Sequence, residues 1–408
     1  MHIPVETIPL EELRRRYARC RQLLAELKPG ARGLLTFSRT SIYYFTGTMG
    51  FGVFWLPLEG EPLLMVRKGF ERARLESPHI AIAPFRSFGD LAGLAADHGA
   101  PLSGSVAAEQ SSLPWALADN LRGKLADTVF SEADTVLSQL RAVKTPWELE
   151  KMRLAGAGHA RAVEEELPRR MSPGMSEMEI AQLTIEVFFS LGSCGLTRMS
   201  NYGEEISLGH ISVGENGNFP TFYNGALGCK GLHPAAPFFG CSNDIWTLNS
   251  LLTHDAGFCY QGYNSDKTQT YFAGNAQSIP PRVKKAYDVC REIEAVVGAR
   301  MKPGAIPSEL YALALDMADK AGFAEGFMGL GAGKVPFLGH GIGLCIDEWP
   351  VLAKRFDKPL QAGMTLAMEP KIGLPGIGMV GVENTWEITE NGADCLSTTG
   401  NSDIICVE

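Results

Sequence analysis

The sequence contains no apolar run that approaches the roughly 18 residues of a membrane-spanning helix. It has no Cys-x-x-Cys motif, and its nine cysteines are scattered singly between Cys20 and Cys406. An odd number of scattered cysteines favours neither a disulfide framework nor a zinc finger, so we expect reduced thiols and a cytoplasmic protein. Acidic residues outnumber basic ones by 46 to 37, which argues against nucleic acid as a partner because phosphate binding needs a basic face.

The first twenty residues also lack two marks of a signal peptide, an apolar core segment and a small-residue cleavage site. We therefore expect neither secretion nor a membrane partner. The 408 residues are 45% hydrophobic and 20% charged, a composition typical of globular proteins. Because that length exceeds what one ordinary core can fill, two domains are expected.

Helical and strand patterns alternate in the first part of the chain, which predicts an α/β domain. The helix pattern covers residues 10–27, and short strand patterns follow at 33–37, 51–57, 78–84 and 105–109. The second part begins with a long helix, because Thr145, Pro146 and Glu148 form a capping-box sequence with proline at the first helical position. We therefore predict domains at 1–143 and 144–408.

Two segments of the second part resemble each other, residues 171–192 and residues 301–322. Each has a Pro-Gly turn that leads to an amphipathic helix ending at glycine. One interpretation is coincidence between two ordinary helix starts. The other is a duplicated α+β half of roughly 130 residues, with a site between two pseudo-symmetric halves.

Five residues in the last third of the chain are chemically conspicuous. Asp255 and Asp266 stand 11 residues apart between strand-like flanks, which predicts a hairpin that brings both carboxylates together. His340 is flanked by glycines, and Glu369 and Glu383 each interrupt an apolar run. So many buried carboxylates require cations. Five such ligands can hold two divalent metal ions, with Mn²⁺ the first expectation and Co²⁺, Fe²⁺ or Zn²⁺ left open.

The order of these residues, with the strings GHGIG, MEP and GVENT, resembles metallopeptidase family M24, the pita-bread fold of aminopeptidase P, prolidase, methionine aminopeptidase and creatinase. Residues 41–48 (SIYYFTGT) and 141–153 (RAVKTPWELEKMR) are similar to its creatinase-type N-terminal domain and interdomain segment. The resemblance implies an α/β creatinase-like N-terminal domain and an α+β pita-bread catalytic domain with pseudo-twofold duplication. It also implies a homodimer and a dinuclear metal site, with these ligands: Asp255, Asp266, His340, Glu369 and Glu383.

The activity implied by the resemblance is that of a dinuclear-metal hydrolase. We expect an Xaa-Pro aminopeptidase or dipeptidase that acts on small peptides through a metal-bridging hydroxide. Glu369 would then relay a proton while it ligates metal.

The chain departs from the family pattern around the metal ligands. Proline-specific members carry accessory histidines, and the corresponding positions here are Thr221, Pro336 and Asp347. Two arginines that the resemblance also implies are replaced by Gln269 and Gly381. The resemblance therefore implies an intact set of metal ligands surrounded by an altered outer shell.

Asp347 and His233 are the residues that could take over the missing roles. Asp347 could act as a general base or hold a substrate amine, or it could simply cap a turn. His233 lies in a Gly- and Pro-rich stretch, residues 224–240, and could replace a lost histidine. His159 and His210 carry no clear signal.

Two other functions remain open at this point. One is a non-peptidase enzyme on the same scaffold, a lyase or C–N hydrolase acting on a small zwitterion with Asp347 as base. The other is a binding module that keeps the fold without catalysis.

Overall fold

The computed structural model describes residues 6–201, 206–236, 239–240, 243–401 and 403–408. Positions 1–5 of the segment tested for a signal peptide, and positions 237–238 of the predicted loop at 224–240, lie outside the described residues. The chain forms two compact units, Met1–Arg141 and Ala142–Glu408. No helix in the described ranges combines the length and apolarity needed to cross a membrane.

The first unit is built on a mixed sheet with strand order β4-β3-β2-β1-β5-β6. Its helices are α1 Leu10–Leu27, α2 Arg39–Thr46, α3 Phe70–Glu76, α4 Leu91–Asp97, α5 Trp115–Lys124 and α6 Asp134–Ala142. Its strands are β1 Gly33–Thr36, β2 Phe51–Pro57, β3 Leu63–Lys68, β4 Ala81–Pro84, β5 Gly104–Ala108 and β6 Thr128–Glu132. β1 pairs antiparallel with β2 and parallel with β5, so the α/β prediction is confirmed.

Local sequence explains most of these boundaries. Helix α1 buries Leu13, Tyr17 and Leu24 at helical spacing, as the pattern predicted. Arg16 is also buried, and its guanidinium donates to Glu12 and to the carbonyl of Tyr44. Strand β4 begins later than predicted, since a turn occupies residues 78–80.

The second unit contains helices packed on sheets whose strands pair antiparallel, except that β17 pairs parallel with β9. Its helices are α7 Pro146–Ala160, continued by a π-helical segment Arg161–Glu166, then α8 Glu177–Ser190, α9 Pro281–Gly298 and α10 Pro307–Lys320. Its strands are β7 Gly209–Val213, β8 Leu251–Tyr260, β9 Tyr263–Ala273, β10 Phe337–Gly341, β11 Glu348–Ala353, β12 Thr365–Met368, β13 Lys371–Leu374, β14 Gly378–Gly381, β15 Asn384–Ile388, β16 Ala393–Cys395 and β17 Ile405–Val407. The sheets have the strand orders β17-β9-β8-β7, β11-β10-β12-β15-β16 and β13-β14.

The start of α7 follows its sequence closely. The Thr145 hydroxyl accepts the Glu148 N–H at 3.3 Å, and the Glu148 carboxylate accepts the Thr145 N–H at 3.0 Å. This is the predicted capping box, with Pro146 at the first helical position. The two similar segments carry α8 and α10, and each helix is followed by a glycine with positive φ, Gly192 and Gly322.

The order of elements in the second unit repeats itself. The helices α7 and α8 precede the β7–β8–β9 sheet, and the helices α9 and α10 precede the sheet that contains β10, β12 and β15. An isolated bridge between Thr268 and Glu383 links strand β9 to the segment that enters β15. This bridge brings the acidic residues of both sheets to one place.

Candidate metal centre

The β8–β9 hairpin positions the two aspartates. Its turn is Gln261-Gly262, with φ of 49° and 91°, as a two-residue turn of the I′ type requires. In the register of the hairpin, Asp255 lies opposite Thr268 and Gly257 lies opposite Asp266. The two aspartates are therefore diagonal neighbours on one face, as the 11-residue spacing predicted.

The other three residues come from neighbouring strands of the second sheet. His340 lies in β10, Glu369 directly follows β12, and Glu383 directly precedes β15. The glycines beside His340 serve strand contact, because a Cβ at Gly339 would lie 2.2 Å from the carbonyl oxygen of Ala367, and one at Gly341 would lie 2.4 Å from that of Trp349. The two glycines therefore allow the neighbouring strands to approach β10 closely.

All five side chains meet in one cluster, which we call the carboxylate cluster: Asp255, Asp266, His340, Glu369 and Glu383. It consists of two overlapping groups, and in each the ligand-type atoms lie within 4.8 Å of one another. We call Asp266, His340 and Glu383 the histidine group. We call Asp255, Glu369 and Glu383 the lysine group, because Lys371 donates to all three. Glu383 belongs to both groups.

The orientation of His340 suits metal binding. Its Nδ1–H donates to the carbonyl of Gly341 at 3.0 Å, which leaves the Nε2 lone pair directed at the cluster. Nε2 lies 3.9 Å from Asp266 Oδ2 and 3.8 Å from Glu369 Oε1. Thr268 donates from Oγ1 to Glu383 Oε2 at 2.8 Å and so orients the shared carboxylate.

Lys371 is a residue of the cluster that the sequence analysis did not single out. Its side chain is fully buried, and its Nζ lies 2.7 Å from Glu369 Oε2, 2.7 Å from Glu383 Oε2 and 3.0 Å from Asp255 Oδ2. Burial disfavours the ammonium, but the three carboxylates outweigh it and raise the pKa of Lys371 well above its ordinary value. A signal was present, since Lys371 follows Glu369 by two residues in an apolar run, the spacing of one face of an extended chain.

The carboxylates are only partly compensated by this lysine. Burial, followed by the charge of Asp255, raises the pKa of Asp266 well above its ordinary value, and burial followed by Asp266 does the same to Glu383. Burial also acts on Asp255, but there the ammonium of Lys371 prevails and the pKa is lowered. Four carboxylates share one ammonium, so their full ionisation calls for a further cation.

The two groups fit a metal ion differently. The histidine group offers two carboxylates and an imidazole nitrogen, a donor set that divalent Mn, Fe, Co or Zn accepts. The lysine group offers three carboxylates, but Lys371 donates to each of them. One divalent ion therefore fits the residues present, whereas a second would meet the ammonium.

His210 and Tyr223 also face this region, although no sequence signal marked them. His210 lies directly opposite Asp255 in the β7–β8 pairing, and its Nδ1–H donates to the carbonyl of Leu227. The ring of Tyr223 packs edge-on against His210 at 4.9 Å. Burial, and then the charges of Asp266, Asp255, Asp347 and Glu369, raise the pKa of Tyr223, which places its phenol among these acids.

Asp347 lies beside the cluster in a defined setting. Its Oδ1 accepts the N–H of Ser200 at 2.6 Å and its Oδ2 accepts the Ser200 hydroxyl at 2.8 Å. Burial raises the pKa of Asp347 despite these two hydrogen bonds and the nearby His340. The carboxylate is thus held in one orientation near the candidate ligand His340.

The structure does not bring His233 into the cluster. Its ring is exposed, and among the described residues it accepts the N–H of Ala235 at 3.1 Å. Thr221, at the position of another accessory histidine, accepts the N–H of Tyr223 through its hydroxyl. The catalytic role expected of His233 stays a prediction, without support from its position.

Comparisons with known proteins agree with this architecture. Residues 150–390 match the metallopeptidase family M24, and residues 16–143 match the creatinase/prolidase N-terminal domain. The chain is 26% identical to the Xaa-Pro dipeptidase of Pyrococcus furiosus over 88% of this chain and 91% of that protein. It is 30% identical to a probable dipeptidase of Mycobacterium tuberculosis over 64% of this chain and 60% of that protein.

A solved structure extends the likeness to the whole fold. The X-Pro aminopeptidase of Thermotoga maritima superposes with a TM-score of 0.77 at 23% identity, covering 96% of this chain and 99% of that one. The fold predicted from sequence, a creatinase-like N-terminal domain followed by a pita-bread domain, is confirmed.

Proposed function

The chain belongs to metallopeptidase family M24, and from that premise we propose that it is a metal-dependent peptidase that hydrolyses the Xaa-Pro bond of small peptides. The relatives similar over most of its length include Xaa-Pro dipeptidases. The observation that carries the proposal is the buried histidine group Asp266, His340 and Glu383, a donor set suited to a divalent ion. We propose Mn²⁺ as that ion.

The chemistry divides between the ion and the side chains around it. A divalent ion in the histidine group supplies a Lewis acid that polarises the scissile carbonyl. Glu369 presents Oε1 on the side of His340 while its Oε2 accepts from Lys371. We propose that Oε1 accepts a proton from the attacking water and delivers it to the proline nitrogen.

Asp347 provides a way to anchor the substrate. Ser200 fixes both of its carboxylate oxygens, and Coulombic interactions link it to His340. A carboxylate held beside the centre can pair with the α-ammonium of a short peptide. This arrangement favours peptides with a free N-terminus.

The space next to the aspartates is small. A pocket at this position is lined by Asp255, Asp266, His210, Tyr223, Thr197 and Ile346. The cavity measures only about 20 Å³, which is room for a water molecule and not for a proline ring. We favour dipeptides and short peptides as substrates because the relatives similar over most of the chain are Xaa-Pro dipeptidases.

The test is a cleavage assay with the full chain loaded with Mn²⁺, and separately with Co²⁺, Fe²⁺ or Zn²⁺. We expect hydrolysis of Xaa-Pro dipeptides and of peptides that begin Xaa-Pro, with Xaa-Ala peptides as the matched comparison. A D266N variant serves as the inactive control. Lack of Xaa-Pro cleavage with every metal would contradict the proposal.

A second function is favoured by one observation, the replacement of an accessory histidine by Asp347. In a lyase or C–N hydrolase acting on a small zwitterion, Asp347 would be the base. D347N separates the two functions, because loss of an anchoring charge raises KM for peptides, whereas loss of a base abolishes turnover of the zwitterion with metal still bound.

We further propose a reduced, cytoplasmic setting and a homodimer. The eight described cysteines are free thiols, which supports a reducing compartment. The family resemblance supports the dimer, and analytical ultracentrifugation of the purified chain would test it.

A further inference from the structure

The position of Lys371 is the feature of this molecule that the family activity does not explain. Its ammonium has three N–H donors, and three carboxylates accept at 2.7, 2.7 and 3.0 Å. The donors are thereby used up, and the side chain is fully buried. The lysine is consequently an internal counter-charge with no donor left for a substrate.

The three acceptors of Lys371 are also the three members of the lysine group. A divalent ion held by the same carboxylates would lie about 2.0–2.6 Å from their oxygens. The Nζ atom already lies 2.7–3.0 Å from one oxygen of each. The ion and the ammonium would therefore compete for one position, and their like charges would repel each other.

The backbone explains why the lysine points inward. Lys371 opens β13, and its cross-strand partner in β14 is Gly381. A Cβ at position 381 would lie 2.7 Å from Lys371 Cγ and 2.6 Å from the carbonyl oxygen of Pro370. The glycine thus makes room for the lysine stem at the position where the family resemblance implies an arginine. Lys371 in β13 therefore supplies a positive charge like that of the arginine which the resemblance implies at position 381 in β14.

In the histidine group, Lys371 contacts only the shared Glu383. Within the described residues, no lysine or arginine forms an ion pair with Asp266 or His340. Lys267, which follows Asp266, points away from the cluster, and its ammonium pairs with Glu164 at 3.0 Å and Asn384 at 2.7 Å. An ammonium thus occupies one side of Glu383, and the other side presents Asp266 and His340 without such a cation.

We propose that this protein is a single-metal member of its family, with one divalent ion in the histidine group and the Lys371 ammonium in place of the second ion. The inference rests on the proposed metal-dependent function. It assigns Asp255 to binding Lys371, and Glu369 to a shared role between the lysine and the reacting water. The sole Lewis acid available to a substrate is then the ion beside His340.

The test is a metal count on the full chain, stripped with a chelator and reloaded with Mn²⁺. We expect one Mn²⁺ per wild-type chain and an electron paramagnetic resonance spectrum of isolated, uncoupled Mn²⁺. The K371A variant removes the ammonium and opens its position, so it should bind a second ion and show the spectrum of two coupled ions. Circular dichroism checks that each variant is folded.

K267M is the matched control, because it removes an equally buried ammonium that pairs outside the cluster. Its count should stay at one. If K371A does not fold, K371S, which also removes the ammonium and opens its position, is counted instead, and the wild-type count still decides.

Two ions per wild-type chain would overturn the inference, and so would a single ion in folded K371A. A wild-type chain that binds no ion would overturn it together with the metal dependence of the proposed function. A chain that binds one ion and cleaves no Xaa-Pro peptide would leave the inference standing and refute the proposed function. The metal count can therefore refute the single-metal inference, and the cleavage assay can refute the proposed function, independently of each other.

Discussion

The two groups that share Glu383 differ in what balances their negative charge. In the lysine group, the ammonium of Lys371 donates to all three carboxylates, and the pKa of Asp255 is lowered although burial acts against this. In the histidine group, the pKa of Asp266 is raised well above its ordinary value. Two sets of acids, a few ångströms apart, therefore differ in that only one is neutralised by an internal ammonium.

Under the single-metal proposal, this difference is what a half-preserved metal site would look like. A buried carboxylate needs a positive charge, but it does not require that the charge be a metal. An ammonium satisfies the charge and the hydrogen bonds, yet it offers no open coordination position. A chain that retains every ligand residue can thus still have lost part of its Lewis acidity, and one residue outside the ligand set decides the matter.

The largest expected effect is on metal binding and activity, and it comes from a change in the histidine group. H340A removes the only imidazole of the group, and the lysine side has no ion with which to compensate. Metal binding should be lost, and kcat/KM for Xaa-Pro peptides should fall roughly 10³-fold, since a Lewis acid is worth several kcal/mol and each 1.4 kcal/mol is tenfold. H79A, an exposed histidine of the first unit, is the control. Full metal occupancy in H340A would place the ion elsewhere.

On the lysine side, the expected effect is on stability. K371A leaves three carboxylates without their ammonium, which should lower the free energy of unfolding in the presence of a chelator by about 3–5 kcal/mol. Mn²⁺ should restore much of this loss, because an ion can now occupy the vacated group. Urea unfolding with and without Mn²⁺ measures both values. K267M should be destabilised as well, but without extra rescue by metal over wild type.

The five ligand-type residues could be predicted from sequence because each one violates a local rule. A carboxylate within an apolar run, such as Glu383, is costly unless it is paired, and the hairpin spacing of Asp255 and Asp266 fixes their shared face. The capping box at Thr145 could be predicted equally well, because its hydrogen bonds lie within four residues. Local sequence signals of this kind were enough to predict where the second unit begins and which acidic residues lie in its candidate site.

The residues that were missed depend on long-range pairing. His210 faces Asp255 only because the five-residue strand β7 pairs with β8 across a long irregular segment. The inward direction of Lys371 depends on its glycine partner in β14. Neither pairing follows from periodicity, since both strands are short. The order of the strands in each sheet and the π-helical end of α7 likewise arise from tertiary packing.

A smaller effect, on Mn²⁺ affinity, is expected from Thr268, which contacts the carboxylate that the two groups share. Its hydroxyl donates to Glu383 Oε2, the oxygen that also accepts from Lys371. T268V keeps the shape and removes the donor, so Mn²⁺ affinity should fall about 10–100-fold, as for other residues that orient a ligand. Chelator competition measures the affinity. T270V is the matched control, because the Thr270 hydroxyl donates to the backbone carbonyl of Gly381. An equal loss in both variants would indicate general strain in β9.

The smallest effect is expected at Tyr223, which lies between His210 and the acids of both groups. If the histidine side alone carries the chemistry, the phenol acts on the substrate and not on the metal count. Y223F should then lower kcat/KM about fivefold, the value of one net hydrogen bond of about 1 kcal/mol, while Mn²⁺ stoichiometry stays the same. Y311F, on helix α10, is the control. A changed metal count in Y223F, with unaltered kcat/KM per bound ion, would instead assign the phenol to the metal group.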